Sequence, residues 1–143
     1  MKQRVTGIGG VFFKSSNPDS LRAWYVKHLG LPLDESGYVV FSGTEKEPSG
    51  ATSHTIWNPF DADTDYFAPS KAPFMINFRV ADLDGLLKQL KKEGVKVDPK
   101  RDDSEFGKFG WVMDPEGNKV ELWEPPLPQK PKAKKKPAKK KGK

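Results

Sequence analysis

GVFFKSSNPDSL, residues 10–21, is written a second time in the chain as MINFRVADLDGL, residues 75–86. At this offset of 65, Phe13 falls on Phe78, Lys14 on Arg79, Asp19 on Asp84 and Leu21 on Leu86. Each copy reads as a strand that turns into a helix. Asn17-Pro18 supplies an N-cap and a first-turn proline for one helix, and Asp82 caps the other. Apolar residues then recur at the 3.6-residue period. Leu21, Trp24, Tyr25 and Leu29 form the expected core face of the first helix, and Leu83, Leu86, Leu87 and Leu90 that of the second. Gly30 and Gly94 stand where a left-handed residue ends a helix.

The copies also end alike. TIWNP (55–59) matches ELWEP (121–125) at an offset of 66, which sets Thr55 against Glu121 and Trp57 against Trp123. Strand-like stretches lie near residues 38–41 and 54–57 in the first copy, and near 96–98, 110–113 and 119–123 in the second. Each copy is therefore read as roughly β-α-β-β-β. Boundaries are least defined in the first, where GTEKEPSGATS (43–53) is turn-rich and carries no period. The fold class expected is α+β.

Composition limits what such a chain can do. Its 143 residues carry 25 bases and 19 acids, net +6. Nine of the bases are lysines from Lys130 onward, where no acid occurs, so residues 1–127 hold 16 bases against 19 acids, net −3. The basic character belongs to the end of the chain. Residues 1–126 are long enough for a single domain with a core, with module one at about 5–60 and module two at about 73–126. Residues 127–143, rich in Lys, Pro and Ala, cannot bury enough to fold and are expected to be disordered. Such a lysine run attracts polyanions weakly and without sequence preference, or simply solubilises. No apolar run reaches a membrane-spanning length and the first residues open straight into a strand, so the location expected is cytoplasmic. With no cysteine, disulfides, thiolate metal sites and cysteine nucleophiles are excluded together.

Two βαβββ modules, the first with WYVKHLGLPL (24–33) and the second with FRVADLD (78–84) followed by DPEGNKVELWEPP (114–126), resemble the vicinal oxygen chelate superfamily, which contains glyoxalase I, bleomycin-resistance proteins and extradiol dioxygenases. The resemblance spans about residues 5–126 and implies that the modules pair so that a curved sheet surrounds a cleft. It further implies metal ligands at inward positions of the first and last strand of each module, which carry over to Gly10, Thr55, Met75 and Glu121. Of these only Glu121 binds a divalent ion well. His54 is a weak substitute, because one step along a strand turns a side chain to the other face. His28, on the apolar stripe of the first helix, is read as a partly buried structural histidine. DADTD (61–65) lacks the glycine and distal glutamate of a calcium loop and is read as the solvated linker between modules, with Tyr66-Phe67 tucked behind it. GIGG (7–10) runs into a strand rather than a helix, so it is no phosphate loop, and Gly10 is expected to enlarge the cleft.

By strand alternation the inward face carries Phe12, Lys14, Asn77 and Arg79, joined by Trp57, Glu121 and Trp123. These are the expected ligand-binding residues, with Glu121 as the candidate catalytic group. The mixture suits a small aromatic or anionic molecule stacked on indole and held by Arg79 or Lys14. Each also has a plain structural reading: the indoles as core, and Arg79 paired with Glu121. The leading reading is a protein that binds a small molecule in the cleft between modules without a complete metal site or other cofactor. The alternative is a lyase, isomerase or dioxygenase of the same superfamily that uses Glu121, with a divalent metal or as a base. A nucleic-acid-associated protein acting through the tail is the second alternative. The resemblance also implies a homodimer.

Overall fold

A computed structural model describes residues 2–127; the lysine-rich run expected to be disordered lies almost entirely outside the described residues. The chain forms β1 (Val5–Ser15), α1 (Pro18–Leu29), β2 (Val39–Lys46), β3 (Thr52–Asp61), β4 (Phe74–Val80), α2 (Leu83–Lys92), β5 (Lys96–Val97), β6 (Asp102–Ser104), β7 (Gly107–Met113) and β8 (Lys119–Glu124). All eight strands join one curved, unclosed sheet in the order β2-β3-β1-β4-β8-β7-β5, with β6 also on β7. This is the mixed α+β architecture of two paired modules.

The modules meet along β1 and β4, which pair antiparallel. Phe12 lies opposite Met75 and Gly10 opposite Asn77. Under the offset of 65 each of these pairs maps onto the other, so the seam is a local two-fold axis and the repeat read from the sequence is a repeat in space. Closing strands then run parallel to opening ones, β3 beside β1 and β8 beside β4. In the first module the earliest of the three later strands shrinks to a single bridge between Leu33 and Val39, where the second module has β5 and β6.

The register corrects one expectation. Asn77 lies opposite Glu121, and its counterpart Phe12 lies opposite Asn58, so the residue equivalent to Glu121 is Asn58 and not Thr55. The likeness of TIWNP to ELWEP is out of step by three residues. Trp57 consequently packs against Phe13 and Tyr25 on the helix side, with ring centroids 5.2 and 4.6 Å away.

Both helices begin as their capping residues dictate. Asn17 Oδ1 accepts from Ser20 N at 3.1 Å and Asp82 Oδ1 from Gly85 N at 3.0 Å. Gly30, at φ +70°, ends α1 in the left-handed region. Their packing differs sharply. On α2, Leu83, Leu86 and Leu87 are buried with Val80, Val112 and Leu122. On α1 no residue is buried, and Trp24, His28 and Leu29 are exposed, against the expected core stripe and the expected half-buried histidine. The repeat gives the reason: Pro18 and Arg22 stand where α2 has Leu83 and Leu87. Arg22 donates to Asn58 Oδ1 at 3.0 Å, and bulky Tyr25 rests on Trp57, so α1 is held away from the sheet by the residues that attach it.

The second module should therefore dominate stability. Leu83→Ala is expected to destabilise by about 2–5 kcal/mol through transfer loss and a cavity. Leu29→Ala on α1, at a residue 61 % exposed, is expected to change stability by less than about 0.5 kcal/mol. Urea unfolding of both variants checks the contrast.

Candidate binding site

Helices and the leucine core cover one face of the sheet, and the other face is apolar with charged residues set into it. Phe12, Phe67, Met75 and Trp111 are buried there, with Ile56, Phe60, Tyr66 and Phe109 against them. Four elements place the central group. Asn77 on β4 neighbours Glu121 on β8, and Trp111 on β7 lies opposite Glu121 from the other side. The linker after β3 brings Tyr66 over the top. Glu121 is 2 % exposed and accepts from Asn77 Nδ2 at 2.7 Å, from Trp111 Nε1 at 3.0 Å and from the Tyr66 hydroxyl. A buried carboxylate survives only with such partners.

The site opposes ionisation of Tyr66. Burial, then the neighbouring charge of Glu121, pushes its phenol well above the ordinary value of 10.0. Its ring stacks on Phe60 (5.5 Å, 15°) and stands edge-on to Trp111 (6.3 Å, 90°). Lys119, 8 % exposed, donates to the Tyr66 carbonyl at 2.8 Å and lies 5.4 and 5.2 Å from the Tyr66 and Trp111 ring centroids. Burial holds that ammonium below its usual range. Phe67, the next residue, is fully buried, with Lys14 Nζ 5.9 Å from its ring centroid. Tyr66 and Phe67 do tuck in behind DADTD, and they fill the cleft.

A second buried charge lies further along the same face. Arg79 forms an ion pair with Glu47 just beyond β2, and its Nη1 donates to the Ile8 and His54 carbonyls at 2.6 and 2.7 Å. Arg79 thus pairs with Glu47 and not Glu121. The glycines of GIGG make room for these side chains rather than for a ligand: a Cβ on Gly7 would run into Arg79 Nη2, and one on Gly9 would run into Asn77 Oδ1 and meet Trp123 Cε3 at 2.8 Å. A Cβ on Gly10 would run into the Phe12 ring at 2.6 Å, so the cleft is not enlarged there. Beside Trp123 lies a recess of about 360 Å³ lined among others by Thr52, His54, Pro125 and Leu127.

Of the expected site residues, Phe12, Lys14, Asn77, Arg79, Glu121 and Trp123 share this face and Trp57 does not. Tyr66, Trp111, Lys119 and Glu47 complete it unanticipated. Trp111 had a signal, because a turn at 114–118 fixes which residue faces Glu121 across the β7–β8 hairpin. No signal marks Glu47, which lies in the turn-rich stretch.

The donor set does not fit a divalent metal. The inward positions implied for ligands hold Gly10, Met75 and, by register, Asn58 in place of Thr55, while Glu121 already accepts three hydrogen bonds. Thr55 donates its hydroxyl to the Ile8 carbonyl at 2.8 Å, and His54 Nδ1 lies 3.0 Å from Ser42 Oγ. Among the described residues no three His, Cys, Asp or Glu side chains converge. No described helix is long and apolar enough to cross a membrane.

Comparison with known proteins agrees with this architecture. The family model of the Glyoxalase/Bleomycin resistance protein/Dioxygenase superfamily matches residues 8–122. The chain belongs to that superfamily. Among solved structures it is similar to methylmalonyl-CoA epimerase from Mycobacterium tuberculosis, with 22% identity and a TM-score of 0.55 over 85% of this chain and 89% of that one. A Streptomyces coelicolor methylmalonyl-CoA epimerase variant in complex with 2-nitronate-propionyl-CoA gives 16% identity and 0.63 over 90% and 100%. A superfamily member from Vibrio splendidus gives 11% and 0.52 over 86% and 99%. No curated protein matches the chain.

Two outcomes follow from the buried charges. Glu47→Ala, which strands Arg79 without its partner, is expected to cost about 3–5 kcal/mol, measured by urea unfolding, and Arg79→Met in the same chain is expected to recover part of it. Tyr66 favours its neutral form when folded, so its contribution is complete below about pH 10 and is lost as pH rises above that value. Stability between pH 8 and pH 11 is therefore expected to fall more in the wild type than in Tyr66→Phe.

Proposed function

We propose that this chain is a metal-independent member of its superfamily that binds a small molecule, aromatic and carrying an anionic group, on the helix-free face between its two modules. The observation that carries the reading is the state of Glu121. At the one family ligand position that keeps a carboxylate, the oxygens are taken by Tyr66, Asn77 and Trp111. The surrounding wall of Phe12, Phe60, Trp111 and Trp123 suits a flat ring. Lys14 and Lys119 are cations on this face that make no ion pair among the described residues, whereas Arg79 is engaged by Glu47, and Lys119 is already held by the Tyr66 carbonyl. The recess beside His54 shares Trp123 with this wall.

A homodimer belongs to the same proposal. Trp24, Leu29, Leu33, Tyr38 and Phe41 of the first module are each at least 44 % exposed, apolar surface that a second copy of the chain would cover. The tail adds weak polyanion contact and is not needed for the ligand.

A panel of small aromatic acids, screened by thermal shift with and without EDTA, tests the reading beside native mass spectrometry in zinc, nickel or manganese. The expected outcome is a hit whose shift EDTA leaves unchanged, and no stoichiometric ion. One ion per chain, lost in Glu121→Gln, would instead favour the metal-dependent lyase, isomerase or dioxygenase reading.

A further inference from the structure

Tyr66 makes every contact that a bound phenol would make at Glu121, yet it belongs to neither a strand nor a helix. Its hydroxyl donates to the carboxylate, its ring lies on Phe60 and edge-on to Trp111, and Lys119 closes over it. We propose that Tyr66 is an internal occupant of the ligand position, and that the ligand is a hydroxylated aromatic ring which displaces it. This rests on the small-molecule reading above and names the class of molecule.

The walls of the position stand without Tyr66. Phe60, Asn77, Trp111, Lys119 and Glu121 all lie on strands of one sheet, and Asn77 and Trp111 hold the carboxylate by themselves. A ring arriving in place of Tyr66 meets a formed acceptor and two aromatic surfaces, the preorganised arrangement that makes small sites effective.

The strap carrying Tyr66 is joined mainly to itself. Thr64 N bonds the Asp61 carbonyl, Tyr66 N the Thr64 hydroxyl, Ala68 N the Asp65 carbonyl and Ser70 N the Phe67 carbonyl. Among the described residues its hydrogen bonds to the sheet are those of the Tyr66 hydroxyl to Glu121, of Lys119 Nζ to the Tyr66 carbonyl and, at its far end, of Lys14 N to the Pro73 carbonyl. Phe67, fully buried, can stay as the anchor while Tyr66 swings out. A purely structural plug would be better made from an apolar side chain against an apolar residue at position 121, because a buried carboxylate is stable only while its donors stay in place.

Competition with an internal occupant has a signature that an ordinary contact residue lacks. Apparent affinity falls with the fraction of molecules whose site is open, so removing the occupant strengthens binding. The test is isothermal titration of wild type, Tyr66→Ala and Tyr66→Phe with 4-methylphenol, and with toluene as the ring without a hydroxyl. Tyr66→Ala is expected to bind 4-methylphenol at least about tenfold more tightly than wild type, and toluene more weakly than 4-methylphenol. Tyr66→Phe, which keeps the ring and loses its hold on Glu121, is expected to gain a smaller factor and decides the matter if the alanine variant does not fold. Adding Glu121→Gln to the Tyr66 variant, which leaves a neutral amide oxygen as the acceptor, should weaken the preference for the hydroxyl. Equal or weaker binding in the Tyr66 variants would overturn the displacement and leave a small-molecule site in which Tyr66 is an ordinary contact. No binding of any aromatic probe or panel acid to any of the three proteins would overturn both.

Discussion

The antiparallel seam between β1 and β4 is the constraint on which the rest of this molecule depends. Once Phe12 faces Met75 and Gly10 faces Asn77, the two modules are related by a local two-fold axis. Each closing strand must then lie parallel and outside its opening strand. Alternation along β4 and β8 sends Asn77, Arg79, Glu121 and Trp123 to one face and the apolar partners of α2 to the other. The seam also carries a bulge near Gly9, and its glycines let large side chains from β4 and β8 lie across β1. A side chain at Gly7 or Gly9 would push Arg79, Asn77 or Trp123 out of place.

Two charges are buried on that face, and they are satisfied in different ways. Arg79 meets a carboxylate and two backbone carbonyls, so it ties the turn after β2 to the centre of the sheet. Among the described residues Glu121 meets no cation at bonding distance and relies on three neutral donors. Neutral donors can satisfy a carboxylate while leaving it able to exchange one partner for another, whereas a buried ion pair resists the removal of either member. The superfamily face has thus become one structural charge pair and one hydrogen-bonding carboxylate under a removable tyrosine.

Much of this was legible in the chain. The 65-residue repeat, both helix caps, the α+β class and the inward placement of Asn77, Arg79, Glu121 and Trp123 follow from short-range periodicity and from the turn at 114–118. Helix α1 was misread because periodicity marks a stripe of suitable residues without saying whether a sheet will come close enough to bury them. Trp57 was misread because its resemblance to Trp123 is chemical, while the face of a strand residue is set by register.

Local pattern by itself determined both helices, most of the strands and their repetition, since caps, turns and alternation act over a few residues, while the family came from the resemblance of whole motifs such as DPEGNKVELWEPP. Only the tertiary structure decided that Asn58 rather than Thr55 answers to Glu121, that Arg79 takes Glu47 as its partner, and that Tyr66 of the linker occupies the cleft. Each of these depends on how a loop closes and which strands become neighbours, and a one-residue change in either moves a side chain to the opposite face.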